Sequence, residues 1–183
     1  MNDAPKGHPA APDDLLPLEL CRVLPARDSA GLVLSGGGKR FIIFIGPGEA
    51  AAVLRELKKE LPARPLTHDL LAWILAGYDI QVESVVISSV VNGAFCSTLT
   101  LLRKVGAEED RVRLDARASD AIVLALRHGV ALQVTRRVLD EVEDVSKMLA
   151  ELEEQIEKQA QSGEDDAAGS AGEASGESTP PLL

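Results

Sequence analysis

The chain has 183 residues, 45% hydrophobic but only 3% aromatic, so it can bury one ordinary core and must build it from aliphatic side chains. Its net charge of −10 is unevenly placed: residues 1–14 carry −2, residues 15–137 carry +3 and residues 138–183 carry −11. The acidic balance therefore does not exclude a nucleic-acid substrate, and the mildly basic central region does not by itself argue for one. No apolar run reaches the roughly 20 residues of a membrane helix. Residues 1–17 lack the basic start and apolar centre of a secretion signal. Cys21 and Cys96 lie far apart and form no metal-like pair. Together these features predict a reduced, cytoplasmic protein with no membrane anchor.

Residues 1–14, rich in Pro, Ala and Asp, are expected to be a flexible leader. Residues 18–24 and 31–35 are short β-like runs, followed by a glycine loop at 35–38 and an apolar strand at 41–45. Gly36-Gly37-Gly38-Lys39 is similar to a phosphate loop, but it lacks the Walker spacing and precedes a strand. Gly46-Pro47-Gly48 opens a helix through Leu61, with Glu49 suited to its positive end. Ala50, Val53, Leu54, Leu57 and Leu61 form its expected apolar stripe. Pro62 and Pro65 break that helix and launch the next, whose expected buried face is Leu66, Leu70, Leu71, Ile74 and Leu75. Residues 80–88 and 94–102 are strands joined by the hairpin signal Asn92-Gly93. A charged loop at 106–110 leads to a strand at 112–116, a helix at 119–128 and a closing strand at 131–135.

Val138, Val142, Val145, Leu149, Leu152 and Ile156 are spaced 4, 3, 4, 3, 4, which predicts a long acidic helix over 138–160 with a heptad seam. The seam over 138–156 is the expected site of homo-oligomerisation, with return onto the domain as the alternative. Residues 161–183 have the composition of a disordered tail. The whole predicts an α+β domain over 15–137. It would hold a twisted, mainly antiparallel sheet with about three core helices, because strands come in pairs between helices.

Two polar clusters stand where helices are expected to begin. In the first, Thr67 can cap a backbone N–H and Asp69 can answer the helix dipole. The same positive end disfavours imidazolium, and a neutral His68 can accept a proton or bind a metal. In the second, Arg113, Asp115 and Arg117 alternate onto one strand face, Ser119 is the expected cap and Asp120 lies in the first helical turn. Both clusters admit a purely structural reading of caps and ion pairs. They also admit a phosphate site, with Arg117 as clamp and with Asp115, Asp120 and Glu49 holding a divalent ion. Phosphodiester cleavage needs such parts, because negative charge develops on oxygens that a cation must stabilise.

Four segments carry a resemblance. They are Ile45-Gly46-Pro47-Gly48-Glu49-Ala50, then Arg64-Pro65-Leu66-Thr67-His68-Asp69-Leu70, then Asn92-Gly93-Ala94-Phe95-Cys96-Ser97, then Asp115-Ala116-Arg117-Ala118-Ser119-Asp120-Ala121-Ile122. In this order they resemble the bifunctional nuclease domain, a small α+β family associated with cleavage of RNA and DNA. The resemblance implies a nuclease; read together with the polar helix entrances, it motivates the assignment of His68, Asp69 and Arg117 as catalytic and of Glu49, Asp115 and Asp120 to a magnesium or manganese ion. The chain departs from the family pattern at Ser89 and Asn92, where acids are usual, at Cys96, which replaces a tyrosine, and at Ala118, which replaces a proline. Those departures keep open a second expectation, a non-enzymatic oligomeric module of the same fold with a binding or regulatory role.

Overall fold

The computed structural model describes residues 15–155. Residues up to Val145 form one compact unit, and 146–155 are a helical segment of a second. The first unit runs β1 (Leu15–Pro25), β2 (Ala30–Gly36), β3 (Lys39–Ile45), α1 (Pro47–Lys58), α2 (Thr67–Gly77), β4 (Ile80–Val91), β5 (Ala94–Val105), β6 (Glu108–Arg117), α3 (Ala118–His128), β7 (Leu132–Thr135) and α4 (Arg136–Glu141). The expected α+β character and mainly antiparallel sheet are both present.

The seven strands lie in the order β3-β2-β1-β7-β4-β5-β6, and every neighbouring pair is antiparallel except β4–β7. Two three-stranded meanders, β1-β2-β3 and β4-β5-β6, are thus joined by the four residues of β7. Strand β1 serves both halves: Leu15–Leu18 pair with β7, and Glu19–Pro25 pair with β2 across an irregularity at Cys21. The sheet curls strongly enough that Phe41 of β3 stacks on Phe95 of β5, with centroids 5.9 Å apart. These strands are first and sixth in the order, so the contact nearly closes the curl. Phe41, Leu32, Leu34, Val53, Val85, Ile87, Ile122 and Val134 anchor the core beneath it. Asn92 and Gly93 both take positive φ, 51° and 79°, which gives the hairpin the turn its twist requires. The glycines at 36–38 turn β2 into β3, and Lys39 donates to the Leu139 carbonyl at 2.6 Å, so that segment serves the fold.

Several expectations need correction. The charged loop at 106–110 shrinks to two residues, since β6 already pairs from Glu108 with Val105. Helix α1 stops at Lys58, with Lys59 in the left-handed region, and it buries Ala50, Ala52 and Val53 while Leu54, Leu57 and Leu61 stay exposed. Helix α2 buries Asp69, Ala72 and Leu75 and turns Leu66, Leu70, Leu71 and Ile74 outward.

The long acidic helix over 138–160 is not one helix. α4 ends at Glu141, Val142 is extended (φ −85°, ψ 146°), and the Val145 N–H bonds the Arg40 carbonyl at 2.8 Å. Val138 and Leu139 belong to the core of the first unit, so the heptad spacing spans two separate packings. Helical structure resumes at 146, Leu152 is exposed, and Ile156 and the tail at 161–183 lie outside the described residues, as does the leader at 1–14. Among the described residues, no helix is long and apolar enough to cross a membrane.

The Phe41–Phe95 contact should carry much of the closure. Phe41→Ala is expected to lower the free energy of unfolding by about 3–5 kcal/mol, read from the denaturant midpoint at unchanged slope.

Candidate functional site

Three helix N-termini meet at one place. α1 begins after Gly46, α2 after Leu66 and α3 after Arg117, and none of these three N-cap residues caps its helix with a side-chain hydrogen bond. The expected caps are corrected: Thr67 is the first residue of α2, and Ser119 is already inside α3 and buried. Convergent N-termini concentrate positive potential, which draws acidic first-turn residues to the junction. Glu49, Asp69 and Asp120 are those residues.

They form two ionic layers. In the outer layer, the Arg117 guanidinium donates from Nε to Asp120 Oδ2 at 2.9 Å and from Nη1 to Glu49 Oε1 at 2.9 Å. His68 Nε2 lies 3.2 Å from Asp120 Oδ1. One continuous chain, His68–Asp120–Arg117–Glu49, therefore links all three helices. Burial pushes the Asp120 carboxyl up, but hydrogen bonds from Arg117 and His68 outweigh it and hold the group below the ordinary aspartate range. Taking Asp120 as a carboxylate, Nε2 of His68 carries the proton and Nδ1 is the basic nitrogen.

In the inner layer, Arg127 Nη2 donates to Glu56 Oε1 at 2.6 Å and also to Asp69 Oδ1. The other Asp69 oxygen accepts from the Leu66 backbone N–H at 2.7 Å, the reciprocal half of a capping box. Burial opposes ionisation of Asp69 as well, yet the Leu66 N–H and Arg127 prevail and keep its carboxyl low. Glu49 and Glu56 are seven apart on α1, as Asp120 and Arg127 are on α3, so the two helices run parallel and repeat the contact two turns on. The sequence reading missed Glu56 and Arg127. Their spacing from Glu49 and Asp120 is the signal that could have found them.

Glu49 and Arg117 of the outer layer line a cleft of about 290 Å³, together with Ile43, Ile45, Phe95 and Ser119 among others. Its walls come from β3, the tip of the β4–β5 hairpin and the starts of α1 and α3. Arg117 is 67% exposed there, which leaves its guanidinium reachable. A side chain at Gly46 would meet Glu49 Oε2 at 2.6 Å and push that carboxylate off Arg117.

Of the six residues expected at the site, the structure joins Glu49, His68, Arg117 and Asp120 in one layer. It places Asp69 in the other, buried and fully engaged. It leaves Asp115 exposed on β6, opposite Thr98, with no ion pair among the described residues. Glu49, Asp115 and Asp120 do not fit a divalent ion as they stand. Arg117 occupies the space between two of them, and no three His, Cys, Asp or Glu side chains are grouped as a metal needs among the described residues. Ser89, Cys96 and Arg117 pair directly across β4, β5 and β6 and so share one face.

The bifunctional nuclease domain model matches residues 32–147. The chain belongs to the bifunctional nuclease domain family. An uncharacterised protein of Mycobacterium tuberculosis is 34% identical over 116 residues, which is 63% of this chain and 66% of that protein. Bifunctional nuclease 1 of Oryza sativa subsp. japonica is 32% identical over 123 residues, covering 64% of this chain and 37% of the plant protein. A bifunctional nuclease of Oryza minuta matches to the same extent. The chain thus spans about a third of the plant relatives' length and just under two thirds of the mycobacterial one.

Removing Arg127 deprives buried Asp69 and partly buried Glu56 of their shared counter-charge, so Arg127→Met is expected to cost about 3 kcal/mol of stability. Asp69 binds protons more weakly folded than unfolded. Its contribution is therefore complete above the ordinary aspartate range and disappears as pH falls through the lower folded value. Asp69→Asn should flatten that acid limb in a series of urea titrations across pH.

Proposed function

We propose that this domain hydrolyses phosphodiester bonds of RNA or DNA at the cleft walled by β3, the β4–β5 hairpin tip and the starts of α1 and α3. The observation that carries the reading is the continuous His68–Asp120–Arg117–Glu49 chain beside an open cleft, in a chain of this family. In this reading Nδ1 of His68 takes the proton of the attacking water as its oxygen bonds to phosphorus, the P–O bond to the leaving oxygen breaks and that oxygen receives the proton back from the imidazolium, while Asp120 orients the ring and balances its charge. Arg117 moves from Glu49 onto the phosphate, where its planar donors offset charge developing on the non-bridging oxygens. Its bond to Asp120 survives that exchange. Asp69 does not reach the substrate; it is a positioning residue that fixes the start of α2 and with it His68. Magnesium or manganese remains part of the proposal as a requirement to be tested. Glu49 and Asp120 do not fit an ion while Arg117 bridges them, so no step is written through one. The setting we propose is the cytoplasm, where the free Cys21 and Cys96 stay reduced.

One observation favours the non-enzymatic reading: Glu49, Glu56, Asp69 and Asp120 are all already paired with arginine, as in a purely structural brace. The two readings part in one experiment. Purified protein is incubated with labelled single-stranded RNA and double-stranded DNA in magnesium, manganese or EDTA. His68→Ala and Arg117→Ala are each expected to lower kcat about 100-fold, while Asp115→Ala changes little. Cleavage that persists in His68→Ala/Asp120→Ala would reject this site. An absence of cleavage in all conditions, with no thermal stabilisation by either ion, would favour the binding module.

A further inference from the structure

Helix α2 presents an apolar ridge to solvent. Leu66, Leu70, Ile74 and Tyr78 follow one another at four-residue spacing, flanked by Leu71 and Trp73. Trp73 and Tyr78 are the chain's single tryptophan and single tyrosine, and they are 62% and 63% exposed. A sequence with only five aromatic residues thus leaves its two amphipathic ones exposed on α2 and at its C-terminal cap. Such residues dominate binding energy at interfaces. Together the six residues expose roughly 700 Å², backbone and polar atoms included, which is of the order of the largest patches on ordinary monomers.

We propose that this ridge is the contact through which two copies of the chain pair, α2 against α2. Two observations select a second copy. The exposed area is close to the roughly 800 Å² that each partner contributes to a stable interface. The ridge is also electrically neutral. From Leu66 to Tyr78 the only charged or titratable acid–base side chains before the terminal tyrosine are His68 and Asp69, and these engage Asp120 and Arg127. A two-fold interface sets each group against its own kind, and a neutral apolar ridge does so without repulsion. The acidic segment beyond 138 would repel its twin. Helix α2 has no Lys or Arg to hold an anionic membrane surface. Four-spaced ridges of two such helices interdigitate at a crossing angle of about −50°. The pairing relocates the self-association expected of residues 138–156. It stands apart from the proposed chemistry, because Leu70 and Ile74 are exposed and belong to neither ionic layer.

The test uses the full-length chain. In sedimentation at micromolar concentration it is expected to run at twice its 19.4 kDa. Leu70→Glu/Ile74→Glu should weaken the dimer by about 100-fold or more with unchanged circular dichroism, since both side chains are exposed. Trp73 fluorescence should shift to longer wavelength on dilution of the native protein and in the variant alike. Three results would overturn the proposal. One is a native monomer with solvent-like Trp73 emission. Another is a monomer whose Trp73 is already shielded, which assigns the ridge to the chain's own terminal segment. The third is a dimer that survives the α2 charges and is lost only in Met148→Glu/Leu152→Glu.

Discussion

Arg127 is the point on which the arrangement of the helices depends. Its guanidinium, projecting from α3, meets Glu56 of α1 and Asp69 of α2. Helix α2 buries little else, only Ala72 and Leu75 besides Asp69. An apolar contact that small cannot choose a helix orientation by itself, because rotating the helix would bury more surface. The paired charges choose it, since a buried carboxylate deprived of its partner is far costlier than an exposed leucine. Once Asp69 is turned inward, His68 is directed at Asp120 and the leucine ridge is left in water. The position of the proposed general base and the outward face of α2 therefore share one cause.

Most of the fold was legible because strand alternation and turn chemistry are local. Asn92-Gly93 marked its hairpin, and the seven β-like runs became the seven strands. The side that a helix buries is not local information. The spacing of Leu66, Leu70, Leu71, Ile74 and Leu75 announces an amphipathic helix and is silent on whether the apolar side faces the protein or a partner. Asp69, on the opposite flank, decided that, through an arginine 58 residues away. The spacing from Val138 to Ile156 misled for a related reason: regular intervals survive a break in the helix, and the extended Val142 interrupts the rise without disturbing the count. Of the site, the first-turn residues Glu49, His68 and Asp120 were visible as a helix-start pattern, and Arg117 as their neighbour. Glu56 and Arg127 lie late in their helices with no local signature, and they matter only because α1 and α3 are parallel. Asp115 was grouped with Arg117 by alternation alone, and sharing a strand face did not bring it to the helices.

The departures at 89, 92 and 96 gain meaning from the strand pairing. Ser89, Cys96 and Arg117 stand in one cross-strand row, while Asn92 shapes the hairpin whose tip walls the cleft. In this chain the sheet offers Arg117 no carboxylate from that row, and both of its acids come from α1 and α3. The arginine is thereby tied to the helix starts and held over the cleft, with the sheet side of its surroundings uncharged.

The central strand of the sheet is also among the last to be synthesised. β7 lies between β1 and β4, and its pairing with Leu15–Leu18 joins the two ends of the described first unit. During synthesis the meanders on either side can form from neighbouring residues as they emerge. Neither can be joined to the other until Thr135 has left the ribosome. Between the emergence of β6 and that of β7 the nascent domain is two open sheets awaiting a four-residue strand, each with an unpaired edge that a chaperone or a sister chain could occupy first.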